Sequence, residues 1–227
     1  KIPINIDNYL KDLIDLKRVD KIDSEKHRFI NNNSKSKSLN KQKFNIISKS
    51  LNTQQVILLL GKATIRYNDK SDILLRLLSC YLGYGMSSLL FKVLREKYGV
   101  VYEAGIYHPI REYQTPFIMH ASTTEEKAIL TLQLLKECWQ KVMETEISSE
   151  DLELLKTKYR GQIAHSLQSI SQRAEHKAHL LGIGLPKDHD KKVLLRLENI
   201  GSKEIRDAAN TYLKSPSLSV CSNKKVI

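Results

Sequence analysis

Several common architectures are excluded by what this chain lacks. It has three cysteines, Cys80, Cys138 and Cys221, far apart and odd in number. No C-x-x-C spacing occurs, so neither a disulfide framework nor a zinc ribbon is encoded. Buried free thiols in a reducing compartment such as the cytoplasm are the expectation. No apolar run approaches the roughly 18 residues that span a bilayer, and no charged, apolar and small-residue leader opens the chain. Residue 1 is Lys, which is expected of a processed chain or a piece of a longer one. Gly83 and Gly85 in "LGYGMSS" lack the rest of G-x-x-x-x-G-K-S/T, so a phosphate loop is not indicated. No G-x-S-x-G elbow appears, and neither H-E-x-x-H nor H-x-x-E-H occurs.

What is present suits a globular protein. The 227 residues are 41% hydrophobic and 27% charged, enough to bury a core. The net charge is +12. Residues 1–50 carry 12 Lys/Arg against 6 Asp/Glu, which is half of that excess. No basic stripe interleaved with aromatics runs through the sequence, so a nucleic-acid partner is ranked low.

Residues 7–19 place Leu10, Leu13 and Ile14 at helical spacing, with Asp7 as a candidate N-cap. Asn31 to Gln42 is a polar low-complexity run, read as a linker. Residues 1–42 are therefore expected to be a connector, and 43–227 a domain. "KFNIISK" and "TQQVILLLGKATI" read as two strands, and the turn "SLNT" between them suggests antiparallel pairing. A helix over 70–82 is expected to stop at Gly83 in the left-handed region. Ser87 or Ser88 opens another helix to about Lys97, ended by Gly99. Two strands follow. Thr123 with Glu126 reads as a capping box for a helix to Glu144. Ser148 with Asp151 opens a long helix reaching His179 or beyond, with a bend or close packing expected at Gly161. Two short helices, the second capped by Ser202, precede a last strand in "SPSLSVCS". Hairpin strands with segregated helices predict an α+β fold, with helices on one face of a mostly antiparallel sheet.

Two constellations carry chemistry. His176 and His179 lie three apart on a helix, a spacing that suits a metal, yet in a Lys-rich helix a solvated surface pair explains them better. No metal or cofactor is expected in this chain. Arg95 and Tyr102 lie seven apart across Gly99 in "LREKYGVVY". Singly, Arg95 suits a helix C-terminus and Tyr102 a strand. Together they are two donors, suited to a carbonyl oxygen or a developing oxyanion, but they supply neither nucleophile nor base.

Residues 82–105, "LGYGMSSLLFKVLREKYGVVYEAG", resemble the signature of the second half of the insulinase/pitrilysin zinc metallopeptidases, the family of the mitochondrial processing peptidases. "STTEEKAILTLQLL", "ISSEDLELLKTKYRGQI", "LQSISQRAEH" and "IGSKEIRDAANTYLKS" continue the resemblance in order, over roughly residues 43–222. Tyr84 and Leu89 depart from a usual glycine and arginine. The resemblance implies an α+β half that faces an H-x-x-E-H half carrying zinc. In it, Arg95 and Tyr102 would bind the peptide substrate and stabilise the oxyanion. This chain would not hydrolyse peptides alone. Its partner would be a zinc half in the same polypeptide or a separate subunit, with self-association of the isolated domain left open. A non-catalytic structural or peptide-binding relative is the alternative.

Overall fold

The computed structural model describes residues 46–50, 55–67 and 69–223. The expected helix over 7–19 and the linker lie outside the described residues.

Five strands form one mixed sheet: β1 (Ile46–Ser50), β2 (Val56–Ala63), β3 (Glu103–Tyr107), β4 (Pro116–Thr123) and β5 (Ser217–Ser222). Their order is β1-β5-β2-β4-β3, antiparallel except for β1 on β5. The expected β1–β2 hairpin is therefore absent. β2 pairs with β4 on one edge and β5 on the other, so β1 pairs instead with the outer edge of β5, Ile46 opposite Leu218.

Alternation along the strands makes the sheet two-sided. Val56, Leu58 and Leu60 of β2, Phe117 and Met119 of β4, and Leu218 of β5 are wholly buried, while Ile57 between them is 38% exposed. Helices α1 (Asp72–Gly83), α2 (Ala128–Glu144) and α6 (Ser202–Tyr212) cover the apolar face. Leu75, Leu77, Leu78 and Leu82 of α1, Leu135 and Trp139 of α2, and Ile205 and Ala209 of α6 fill the core. The Trp139 indole finds its partner in the Leu213 carbonyl at 3.0 Å.

The remaining helices pack less deeply. They are α3 (Ser149–Ser166), α4 (Ile170–Gly182) and α5 (His189–Glu198). Leu180 alone is buried on α4 and Leu197 alone on α5. No helix among the described residues is long and apolar enough to cross a membrane.

Ser148 caps α3 as expected, accepting from the Asp151 N–H at 3.1 Å. Five local expectations differ. The long helix breaks at Leu167, and Ser169 with Gln172 opens α4 through a capping box. A Cβ on Gly161 would meet nothing within 4 Å, so no close packing explains that glycine. Thr123 does not cap α2: it ends β4, and its hydroxyl donates to the Val100 carbonyl. For α6 the cap is Gly201 rather than Ser202, with Glu204 accepting from its N–H at 3.4 Å. Gly83 likewise does not adopt the left-handed region. A Cβ there would lie 2.8 Å from the Ile106 nitrogen, so the residue is small because α1 ends hard against β3.

Candidate functional site

The region around Arg95 is built from a tight ending and a buried anchor. The helix capped by Ser88, whose hydroxyl accepts from Phe91 N–H at 3.4 Å, widens into a π-helix over Phe91–Lys97. Its last turn carries Arg95 and Lys97, cations that favour the negative end of the helix dipole. Tyr98 N–H bonds the Val93 carbonyl five residues back at 3.2 Å, and Val100 N–H bonds Leu94 at 2.9 Å. Gly99 between them has φ +57°, the left-handed conformation that releases the chain into β3.

That turn is locked from below. Leu94 is wholly buried and Val100 is 4% exposed. The buried Thr123 hydroxyl donates to the Val100 carbonyl, and Thr131 sits 3.3 Å behind Thr123. Lys127 donates to the Gly99 carbonyl at 2.9 Å. Tyr102 N–H then bonds the Ser122 carbonyl at 2.9 Å, beginning the ladder.

Arg95 and Tyr102 stand on either side of this fixed turn, and both are exposed, Tyr102 by 59%. The Arg95 guanidinium lies over the Phe91 ring, 5.4 Å from its centroid. Among the described residues neither side chain has a hydrogen-bond or ion-pair partner, and no such bond joins the two. Their donors are therefore available to a group from outside. Within the same stretch of sequence Tyr84, Met86 and Tyr98 are also exposed, Met86 by 76%.

The histidine pair separates. His176 Nε2 lies 3.0 Å from both carboxylate oxygens of Asp190, while His179 is exposed. Among the described residues no three His, Cys, Asp or Glu side chains converge on one point. All three cysteines are free thiols; Cys80 and Cys138 are buried, and burial pushes both up to about 11, away from thiolate chemistry.

Sequence reading missed a buried polar cluster. Asp72 is 3% exposed and binds Arg76 through Nε at 2.5 Å. The Arg76 guanidinium stacks over Tyr67, 4.4 Å from the ring centroid. His108 Nε2 lies 3.4 Å from the Asp72 Oδ1, and His108 Nδ1 donates to the Pro116 carbonyl at 3.1 Å. Since a carbonyl oxygen only accepts, that bond sets the proton on Nδ1. The signal available in sequence was an Asp and an Arg four apart inside the apolar run "DILLRLL".

Comparison with known proteins agrees with this architecture. A family described as "Peptidase M16 inactive domain" matches residues 5–159, beginning upstream of residue 43. An uncharacterized zinc protease of Rickettsia bellii is 26% identical over 167 residues, covering 73% of this chain and 40% of the relative. The chain therefore spans two-fifths of that relative's length. A crystal structure of a peptidase M16 inactive domain from Pseudomonas fluorescens superposes with TM-score 0.72 at 18% identity, over 80% of this chain and 44% of that one. A protease from Helicobacter pylori gives TM-score 0.71 at 19% identity, over 78% and 43%. At these identities the solved structures speak to the fold.

Proposed function

This chain belongs to the peptidase M16 inactive-domain family, and we propose that it is the non-zinc half of a zinc metalloendopeptidase. A half bearing H-x-x-E-H, in the same polypeptide or in a separate subunit, completes the site. The coverage of two-fifths of a zinc-protease relative supports a second half of comparable size. The free thiols support a reducing compartment such as the cytoplasm. Residues 1–42, of which the family match includes 5–42, would be a connector between the halves or an extension of this one.

One observation carries the reading: two unpaired donors, Arg95 and Tyr102, held beside a locked Gly99 turn. In the assembled site the partner's motif would supply the metal-activated water. Attack on a peptide carbonyl would place negative charge on its oxygen. The Arg95 guanidinium and the Tyr102 hydroxyl donate to that oxygen, and their hydrogen bonds strengthen in the transition state. The locked turn limits the reorganisation that this requires. Arg95 and Tyr102 serve as donors and supply neither nucleophile nor general base, so this chain alone does not cleave peptides.

The test is reconstitution of this chain with a zinc-bearing half and an assay of peptide cleavage. Arg95→Ala and Tyr102→Phe are each expected to lower kcat/KM by roughly 10²–10³, the range for one lost oxyanion donor. An active assembly in which both variants cleave normally would refute the catalytic role and leave the chain a structural or peptide-binding half.

A further inference from the structure

Two cavities open beside the buried polar cluster, of about 270 Å³ and about 210 Å³. Tyr67, Arg76 and Tyr159 line both, so these three side chains form their common wall. They come from the turn before α1, from α1 and from α3. Tyr67 and Tyr159 are each 8% exposed, yet among the described residues neither hydroxyl has a hydrogen-bond partner. The enclosed side-chain atoms without a partner among the described residues are His108 Nε2 and Thr115 Oγ1, so the two phenol oxygens are open to the cavities they line.

The guanidinium has a donor to spare as well. Of its five N–H groups, one on Nε and one on Nη2 face the Asp72 carboxylate, at 2.5 Å and 3.5 Å. The second Nη2 N–H reaches the Pro109 carbonyl at 3.4 Å, and one on Nη1 reaches the His108 carbonyl at 3.4 Å. One Nη1 N–H is left over. The acids nearby are engaged: Asp72 with Arg76, and Asp190 with His176. Lys70, Lys192 and Arg196 line the smaller cavity with Asp69 and Asp72; Asp72 holds Arg76, Lys192 pairs with Asp188 at 3.2 Å, and Arg196 donates to the Lys70 carbonyl. Burial raises the Tyr67 phenol to about 12 and pushes Tyr159 up too, so both hydroxyls keep their protons at neutral pH.

We propose that this cavity binds a small organic carboxylate, with the Tyr67 and Tyr159 hydroxyls and the free Arg76 N–H as its donors. Planar, two-oxygen acceptors suit a guanidinium flanked by hydroxyls. The carboxylate has two sources, a free organic acid or the C-terminus of a short peptide, and both present the same group. The site is independent of the peptidase reading, since it uses neither Arg95 nor Tyr102.

The test is calorimetric titration of the full chain at neutral pH with succinate, with N-acetyl-alanyl-alanine and with the amide of that dipeptide. At least one acid is expected to bind saturably, and the amide about tenfold or more weaker, because a charged acceptor is lost. Succinate binding alone identifies a free acid; tighter binding of the peptide acid identifies a C-terminus. Tyr67→Phe and Tyr159→Phe keep the ring packing and remove only a hydroxyl. Each is expected to weaken binding by roughly five- to tenfold with the melting temperature unchanged. The proposal falls if neither acid binds at about 20 mM, since then the cavity holds only water. It also falls if the amide matches the acid, or if both Phe variants bind like the parent.

Discussion

The molecule carries two arginine–tyrosine groupings built from the same side chains in opposite surroundings. Arg76, Tyr67 and Tyr159 are sunk between helices, and an acid already holds the arginine. Arg95 and Tyr102 stand at the surface with no hydrogen-bond or ion-pair partner among the described residues, Arg95 over the Phe91 ring and both beside a turn fixed by the backbone beneath it. Burial makes the Asp72–Arg76 pair of the first grouping part of the fold, so breaking that pair is felt as lost stability. Exposure makes the second nearly neutral for folding, and its donors are useful only once another surface covers them and excludes water. The same chemistry thus separates into an internal site and half of an external one.

That contrast can be broken from either side. The largest effect should come from Asp72→Ala, which leaves the Arg76 charge buried without its partner. A loss of about 3–5 kcal/mol is expected in urea unfolding. Arg95→Ala and Tyr102→Phe should cost the assembled peptidase about 2.7–4 kcal/mol of transition-state stabilisation each. The same variants should shift unfolding by no more than about 0.5 kcal/mol. A pH ramp gives a further distinction. The Tyr67 phenol is raised by burial to about 12 in the fold, against an ordinary value near 10. Between those values the unfolded chain releases its proton first, so stability is intact below pH 10 and falls as pH rises toward 12. The loss is on the order of 2 kcal/mol, and Tyr67→Phe should remove that part of the slope; an unchanged slope would contradict the burial argument. A comparable effect belongs to the turn between Arg95 and Tyr102. Thr123→Val removes the donor to the Val100 carbonyl and should cost about 1–3 kcal/mol of stability. If it also lowers kcat/KM while Arg95 and Tyr102 are intact, the locked turn positions them.

Much of this was legible before any coordinates. The apolar run "TQQVILLLGKATI" placed β2, the stretches "TPFIMHAST" and "SPSLSVCS" placed β4 and β5, and the polar N-cap at Ser148 marked α3, because these signals are local. Gly99 was read correctly as a stop because a left-handed residue ends the helix there. Gly83 was misread because its constraint is the approach of β3, some twenty residues on, which no local pattern encodes. The partner of β1 was missed for the same reason: β5 lies about 170 residues downstream and claims the edge of β2 that a hairpin would use. The break at Leu167 interrupts a polar helix whose composition continues unchanged, so only the Ser169 and Gln172 bonds reveal it. For the sites, Arg95 and Tyr102 were found because a spacing and a motif join them in sequence. Tyr67, His108 and Tyr159 are distant from one another, and only folding brings them around Arg76.

The most direct measurement is kcat/KM for peptide cleavage by this chain assembled with an H-x-x-E-H half, comparing the parent with Tyr102→Phe. A single oxygen atom separates the two proteins. A fall of roughly 10²–10³ with KM little changed is the predicted result, as expected for a donor that acts mainly in the transition state. Equal kcat/KM in an active assembly would contradict it.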